Sequence, residues 1–189
     1  MTRRALVPLL AAVLPFLISS SAALPAADRT AAEAGPPRLV ILVRHAEKAA
    51  EPPKDPPLTR AGEQRAQDLA LALKDAGVTA IVTSDARRTR ATAEPLARAR
   101  ELTPTVVAVG SGGLADHVAA VAAEVRRHAG GVVVVVGHSD TIPAVIAALG
   151  GPRLPDIHHT EFGHLFMLVP EAGGGARLVQ AAYGAPDAH

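Results

Sequence analysis

The sequence predicts an α/β fold, a three-layer α/β/α sandwich around a mostly parallel sheet, and three observations carry that reading. Two unbroken runs of mostly branched apolar residues, Leu39–Val43 and Val132–Val136, lack the alternation of a half-exposed strand. Such runs suit strands covered on both faces, as in a parallel sheet sandwiched by helices. Stretches of helical period separate them from further strand candidates, so strand and helix alternate along the chain. At 189 residues, 49% of them hydrophobic, the chain is long enough for one sizeable core, and a single domain over residues 38–185 is expected.

The elements follow in order. Leu39–Val43 is the first strand. A helix beginning near Arg60 comes next, with Thr59 as its N-cap; Gly62, Ala66, Leu69, Ala70 and Leu73 form one apolar face, and Gly77 is placed to stop it. Ala80–Val82 is a short strand, and a second helix runs from about Arg87 to Arg100. Thr105–Val109 supplies another strand, followed by a helix from about Ala115 to His128. Val132–Val136 leads into a helix from about Thr141 to Leu149. Beyond Gly150 the pattern is broken by Pro and Gly, and His164–Val169 and Arg177–Ala182 read as late strands at a sheet edge.

Ahead of the domain, Met1–Ala23 has the form of a secretory signal peptide: Arg3 and Arg4, an apolar run from Ala5 to Ile18, then small residues up to Ala23. The run is shorter than the ~20 residues of a spanning helix, so export to the periplasm or medium is expected, with no stable membrane span after cleavage; retention of the leader as an uncleaved anchor is the alternative. Residues 24–37, rich in Ala and Pro, read as a flexible spacer. The formal net charge is +1, and it becomes negative by one unit once the leader arginines are removed, so bulk charge gives no support for nucleic-acid binding. Aromatic residues make up only 2%, without Trp, which leaves few stacking platforms; a small ionic ligand fits better. Cysteine is absent, which excludes disulfides, thiolate metal sites and a cysteine nucleophile. Nothing in the sequence sets the oligomeric state.

Three strand candidates end in polar residues of a particular kind. Val43 is followed by Arg44-His45-Ala46-Glu47, Val82 by Thr83-Ser84-Asp85-Ala86-Arg87-Arg88, and Val136 by Gly137-His138-Ser139-Asp140. Ligands of open α/β sheets bind at the carboxyl ends of the strands, so two histidines and at least two arginines are expected at one rim. A phosphate dianion suits that set, because guanidinium offers a fixed bidentate fork to its oxygens. An imidazole with a pKa near 6.5 is largely neutral at physiological pH and therefore nucleophilic. His45 is the candidate to attack phosphorus, while Arg44, Arg88 and His138 hold the equatorial oxygens and Ser139 joins them in substrate binding.

Arg44-His45-Ala46-Glu47-Lys48 after an apolar strand resembles the Arg-His-Gly motif of the histidine phosphatase (phosphoglycerate-mutase-like) superfamily, with Ala in the Gly position. Ser84 through Ala93 is similar to the family's Ser-Pro-Leu-x-Arg-Ala-x-x-Thr-Ala segment, which puts the motif arginine on Arg88 and keeps Thr92 and Ala93 in register. Val135-Val136-Gly137-His138-Ser139 is similar to the segment bearing the second histidine. The resemblance spans about residues 38–170 and implies a phosphohistidine intermediate on His45, a small phosphorylated substrate, no metal, no other cofactor, and a carboxylate that protonates the leaving group. That acid is unassigned. The region Leu102–Asp116 lacks the family's Glu block, and Asp140, Glu47 and Asp116 stand as candidates. A chain with no strong acid would favour good leaving groups such as phosphoanhydrides, acyl phosphates or phosphohistidine, and its shortness resembles the small bacterial members rather than a dedicated mutase.

Plainer roles stand beside these. Arg87 and Arg90 read as a solvated basic face. Asp140 and Thr141 precede Ile142-Pro143, where a side-chain cap starts a helix. Glu47 either pairs with Lys48 or orients His45 or Arg44. His158, His159, Glu161 and His164 raise a metal reading, but their spacing matches no metalloprotease helix and the nearby Gly and Pro indicate a loop overhanging the rim. Two other functions compete. Gly137-His138-Ser139-Asp140-Thr141 resembles a nucleophile elbow, which would make Ser139 the nucleophile of an α/β-hydrolase with Asp156 and a later histidine, yet leaves Arg44, His45 and Arg88 without a role. A non-catalytic phosphoryl-binding protein would account for the missing acid.

Overall fold

The computed structural model describes residues 35–187; the expected signal segment and the spacer up to residue 34 lie outside the described residues. Six strands and four helices follow one another: β1 Leu39–Arg44, α1 Arg60–Ala72, β2 Ala80–Thr83, α2 Arg87–Ala99, β3 Thr105–Val106, α3 Gly113–Arg126, β4 Val132–Gly137, α4 Thr141–Ala148, β5 His164–Pro170 and β6 Ala176–Ala182. They form one sheet in the order β3-β2-β4-β1-β5-β6. The pairs β1/β4, β2/β4 and β2/β3 are parallel, whereas β1/β5 and β5/β6 are antiparallel. The sheet is therefore mixed, with its parallel part made by the strands that carry the three motifs.

The apolar runs are explained by the way this sheet is covered. Successive side chains of a strand point to opposite faces. Val40 and Leu42 of β1 and Val133 and Val135 of β4 join Val118, Val121 and Val125 of α3 and Ile142, Val145 and Ile146 of α4 in one core. Ile41 and Val43 of β1, with Val132, Val134 and Val136 of β4, face the other way onto Leu69 of α1 and Ala93, Leu96 and Ala97 of α2. Each such buried side chain contributes roughly 1.5–3 kcal/mol, so both faces of the central strands must be apolar. The outer strand β6 has one covered face at most, and most of its side chains are exposed.

Four boundaries differ from the sequence reading. The strand expected over Thr105–Val109 ends at Val106: Val107 N still donates to Thr83 O, but Val109 N turns to the Asp85 carboxylate and the chain leaves the sheet. α1 ends at Ala72 with Leu73 as its cap, and Gly77 (φ +68) serves the turn into β2 instead of stopping the helix. α3 starts at Gly113 and ends at Arg126, each two residues earlier than expected. Pro36 and Pro37 are not free spacer; Pro37 is buried, and Pro36 O accepts from Gly130 N. The Thr59 cap is as expected, its Oγ1 accepting from Gly62 N at 3.1 Å. A Cβ at Gly62 would collide with the Glu47 backbone carbonyl, so glycine is what lets α1 approach the segment after β1.

Candidate active site

β1, β2 and β4 run parallel, so their carboxyl ends share one edge and deliver Arg44, Ser84 and His138 to the same place. The β1/β4 ladder continues one residue beyond β1, with His45 N donating to Gly137 O at 2.9 Å. This fixes the backbone under the imidazole. The ring's Nδ1 lies 2.8 Å from Ala46 O, an acceptor only, so Nδ1 carries the proton and Nε2 keeps its lone pair. Ala46 N donates to Thr92 Oγ1 at 3.0 Å, and that hydroxyl donates to Arg88 O at 2.8 Å, tying the His45 segment to α2. His45 is 4% exposed. Burial pushes its pKa down to about 3; the bond to Ala46 opposes this, while Arg88, His138 and Arg44 add to it.

Arg88 reaches across from α2, its Nη2 3.2 Å from His138 Nδ1. Arginine only donates, so Nδ1 accepts and the proton of His138 sits on Nε2, which donates to Ser84 Oγ at 2.9 Å. Ser84 Oγ in turn lies 2.8 Å from Thr89 Oγ1, which has Ser84 O and Ala86 O as acceptors. This chain of bonds holds a neutral imidazole. Burial and the neighbouring Arg88 push its pKa down to about 4. The His45 and His138 rings meet edge to face, with centroids 5.5 Å apart.

Arg44, next to His45 in the chain, is buried as well. Its Nη1 donates to His158 O at 2.7 Å and Glu161 O at 2.8 Å, and its guanidinium lies 4.2 Å over the Phe162 ring. The Nε–H groups of Arg44 and Arg88 are both buried and have no acceptor among the described residues. A buried charged donor left unpaired is costly. Both guanidinium groups share the cleft wall with His45, and two cations beside one imidazole suit an oxyanion.

These groups line a cleft of about 670 Å³. Arg44, His45, Arg88, His138 and Ser139 are all on its wall, so the five residues expected at the rim are brought together. Lys48, Val109, Leu114, His117 and Asp156 border it as well. A larger groove of about 880 Å³ surrounds Pro36, Gly150 and Gly173, but its charged side chains are only Arg126 and Glu171, so chemistry and not size identifies the site.

The three candidate acids part company. Glu47 is turned away into a bidentate pair with the buried Arg65, at 2.8–3.1 Å, so neither a pair with Lys48 nor an acid role in the cleft describes it. Asp116 folds back over Gly112 and does not line the cleft. Asp140 does line it, but its Oδ1 caps α4 by accepting from Thr141 N at 2.8 Å. Ser139 borders the cleft without a histidine on its hydroxyl among the described residues; the nearby imidazole, His138, bonds Ser84 instead, which argues against a serine triad. Glu161 accepts from His158 N and lies 3.3 Å from His164 Nε2, and no group of three or more metal-ligating side chains is found among the described residues. The loop carrying these histidines serves Arg44 through its carbonyls.

Several contributors were missed in the sequence. His117 is buried on α3 and faces the cleft; its place on the helix's apolar face was the available signal. Asp55 Oδ1 accepts from Arg87 N at 2.8 Å and lies 3.9 Å from Arg88 Nη1. It caps α2, whose own N-cap Ala86 offers no side-chain oxygen, and steadies the arginine. Phe162 had no local signal, since its role depends on a ring lying under a distant guanidinium.

Comparison with known proteins agrees with this geometry. The family model "Histidine phosphatase superfamily (branch 1)" matches residues 40–108. A curated relative, "Probable phosphoglycerate mutase GpmB" of Escherichia coli O1:K1, is 46% identical over 66 residues, covering 32% of this chain and 31% of the relative. The chain thus spans about a third of the length of the curated relatives it matches. Among solved structures, the protein histidine phosphatase SixA complexed with tungstate shares the fold, with a TM-score of 0.60 and 19% identity over 76% of this chain and 96% of that one. Mycobacterial glucosyl-3-phosphoglycerate phosphatase in complex with inorganic phosphate gives a TM-score of 0.54 and 22% identity over 78% of this chain and 97% of that one. At these identities the likeness is one of fold. The family model thus covers the first two motifs, residues 40–108, and the fold shared with these phosphatases surrounds a cleft built from all three motifs, so the chain resembles the histidine phosphatase superfamily in both motif and fold.

Proposed function

We propose that the chain is a metal-independent phosphatase that hydrolyses a phosphomonoester or related small phosphorylated compound through a phosphohistidine on His45. The observation that carries this reading is a neutral imidazole with Nε2 unprotonated, on the wall of a cleft that it shares with the guanidinium groups of Arg44 and Arg88. Arg44 and Arg88 supply the charge that a phosphoryl group needs in its transition state. In the first step the Nε2 lone pair forms a bond to phosphorus as the bond to the leaving oxygen breaks, and its electron pair departs on that oxygen. In the second, a water oxygen bonds to phosphorus and the P–N pair returns to Nε2. The water's proton passes to solvent and inorganic phosphate leaves.

His138 has a separate part. Before substrate binds, its Nδ1 accepts from Arg88. A bound dianion draws that donor onto its own oxygens and favours protonation of the freed Nδ1, so His138 changes from acceptor to donor toward the phosphoryl group. No dedicated acid is assigned to the leaving group, because Asp140 is occupied as a cap and Glu47 by Arg65. This favours substrates whose leaving group departs without a proton from the enzyme: phosphoanhydrides and acyl phosphates, which release a stable anion, and phosphohistidine protonated on its other nitrogen, which releases neutral imidazole. That the fold neighbours named above are phosphatases supports hydrolysis.

Brief incubation with a labelled phosphoryl donor tests the reading. Acid-labile, alkali-stable phosphate mapped to His45, absent from His45→Ala and insensitive to EDTA, is expected. Turnover without label at His45 removes the proposed intermediate; phosphate binding without turnover or label favours a non-catalytic phosphoryl-binding protein. We also infer export, from the leader at Met1–Ala23. The mature N-terminus, read by mass spectrometry on secreted or periplasmic material, is expected at Leu24.

A further inference from the structure

The loop between α4 and β5 supplies the socket of Arg44: two carbonyls, from His158 and Glu161, and the Phe162 ring beneath the guanidinium. This loop is irregular from Gly150 to Gly163, with backbone bonds to the β5/β6 hairpin at its two ends, where Gly150 O accepts from Ala176 N and Gly163 O from Tyr183 N, both at 3.0 Å. At its start, Ile157 N donates to Ser139 O at 3.0 Å. At its end, the backbone N–H groups of Phe162 and Gly163 both converge on the carboxylate of Asp187, at 2.8 Å for Phe162 and 3.1 and 3.2 Å for Gly163.

Asp187 is itself fixed from below. Its Oδ1 lies 3.4 Å from Arg65 Nη2, and Arg65, 4% exposed, also donates to Tyr183 O and Ala185 O while pairing with Glu47. Glu47 lies two residues beyond His45. The tail after β6 therefore connects the segment bearing the nucleophile to the loop bearing the socket. Asp187 also acts on Arg44 through its charge and is the strongest of the groups that favour its protonated form. The sequence placed the end of the domain at 185; the contacts run to Asp187.

We propose that Asp187 is a positioning residue for Arg44: by accepting from Phe162 N and Gly163 N it sets the ring and carbonyls against which the guanidinium is held in register with His45. The inference rests on Arg44 binding a phosphoryl group, as proposed above. Without the carboxylate two backbone donors lose their acceptor, the loop before Gly163 is loosened while Gly163 O keeps its bond from Tyr183 N, and the floor under Arg44 shifts. The nucleophile and the Arg88–His138 pair remain in place.

Titration calorimetry with inorganic phosphate on the full chain tests it, alongside KM and kcat for para-nitrophenyl phosphate. Asp187→Ala is expected to raise the phosphate Kd and the KM about tenfold, the scale of one charge-assisted bond, with a smaller change in kcat. Asp187→Asn retains an oxygen acceptor for both amides and is expected to restore most of the affinity. In an Arg44→Ala background, Asp187→Ala should cost nothing further, since coupled residues do not add. An equal loss in both backgrounds, or no rescue by Asn, would show a role in general stability and overturn the proposal. A wild-type Kd unchanged in Asp187→Ala also overturns it while leaving the phosphatase reading intact; a wild-type protein that binds no phosphate removes both.

Discussion

The two halves of the site are built differently. Between residues 40 and 108, and again at β4, chemistry sits in short motifs directly after strands: Arg44 and His45, Ser84 and Arg88, His138. Between residues 150 and 187 the contribution is backbone carbonyls, one ring and one carboxylate, gathered from a loop and a tail. In the proposed function the first half supplies reacting and charge-bearing atoms, and the second keeps one of those charges in position. The parallel ladder explains the first, because it carries each motif to the same edge by repetition. No repeat governs the second, in which Phe162 and Asp187 meet across 25 residues.

This contrast is most severely tested by His45→Ala, which removes the proposed nucleophile. Turnover is expected to fall by at least about 10³-fold with the fold retained. A variant that kept a tenth of the activity would break the assignment of the motif half as the reacting half. Arg88→Ala should cost about 10²–10³-fold in kcat/KM, through lost transition-state charge and the freeing of His138 Nδ1. Steady-state kinetics that showed only a raised KM would place Arg88 with the positioning groups.

The buried histidines also make the motif half a source of acid lability. Both have folded pKa values below the ordinary 6.5, about 3 for His45 and about 4 for His138. As pH falls through 6.5 the unfolded chain takes up these protons and the folded one does not, so stability drops. Each histidine contributes a slope of about 1.4 kcal/mol per pH unit, continuing until its folded pKa is reached. Urea unfolding between pH 7 and 5 should show the loss, and His138→Gln should reduce it; a flat profile would contradict the neutral, buried state of the pair.

Packing under the motifs gives a smaller effect. Gly62→Ala sets a methyl group against the Glu47 carbonyl, and a loss of about 1–3 kcal/mol in denaturant stability is expected, with catalysis impaired through displacement of the His45 segment. A neutral result would mean that α1 can retreat at no cost. Last comes Phe162→Ala in the late half. Losing the ring under Arg44 should weaken phosphate binding by about fivefold, the scale of one partly exposed cation–π contact, with kcat little changed. If kcat fell as far as in Arg88→Ala, the division between reacting and positioning halves would fail.

The sequence by itself determined the layered α/β architecture and the four groups at its rim. A strand buried on both faces must be apolar throughout, and ligand groups of an open parallel sheet lie where such strands end. Both features are written in contiguous residues: Leu39–Val43 before Arg44 and His45, Val132–Val136 before His138. Only the tertiary structure decided that the sheet is mixed, that Glu47 belongs to Arg65 and Asp140 to the start of α4, that His117 lines the cleft, and that Asp55 meets the start of α2, Phe162 the Arg44 guanidinium and Asp187 the backbone of Phe162. A carboxylate carries no local sign of which buried arginine or free amide it will meet. Its partner is set by how distant segments pack, and the lowest-energy pairing exists only once they have done so.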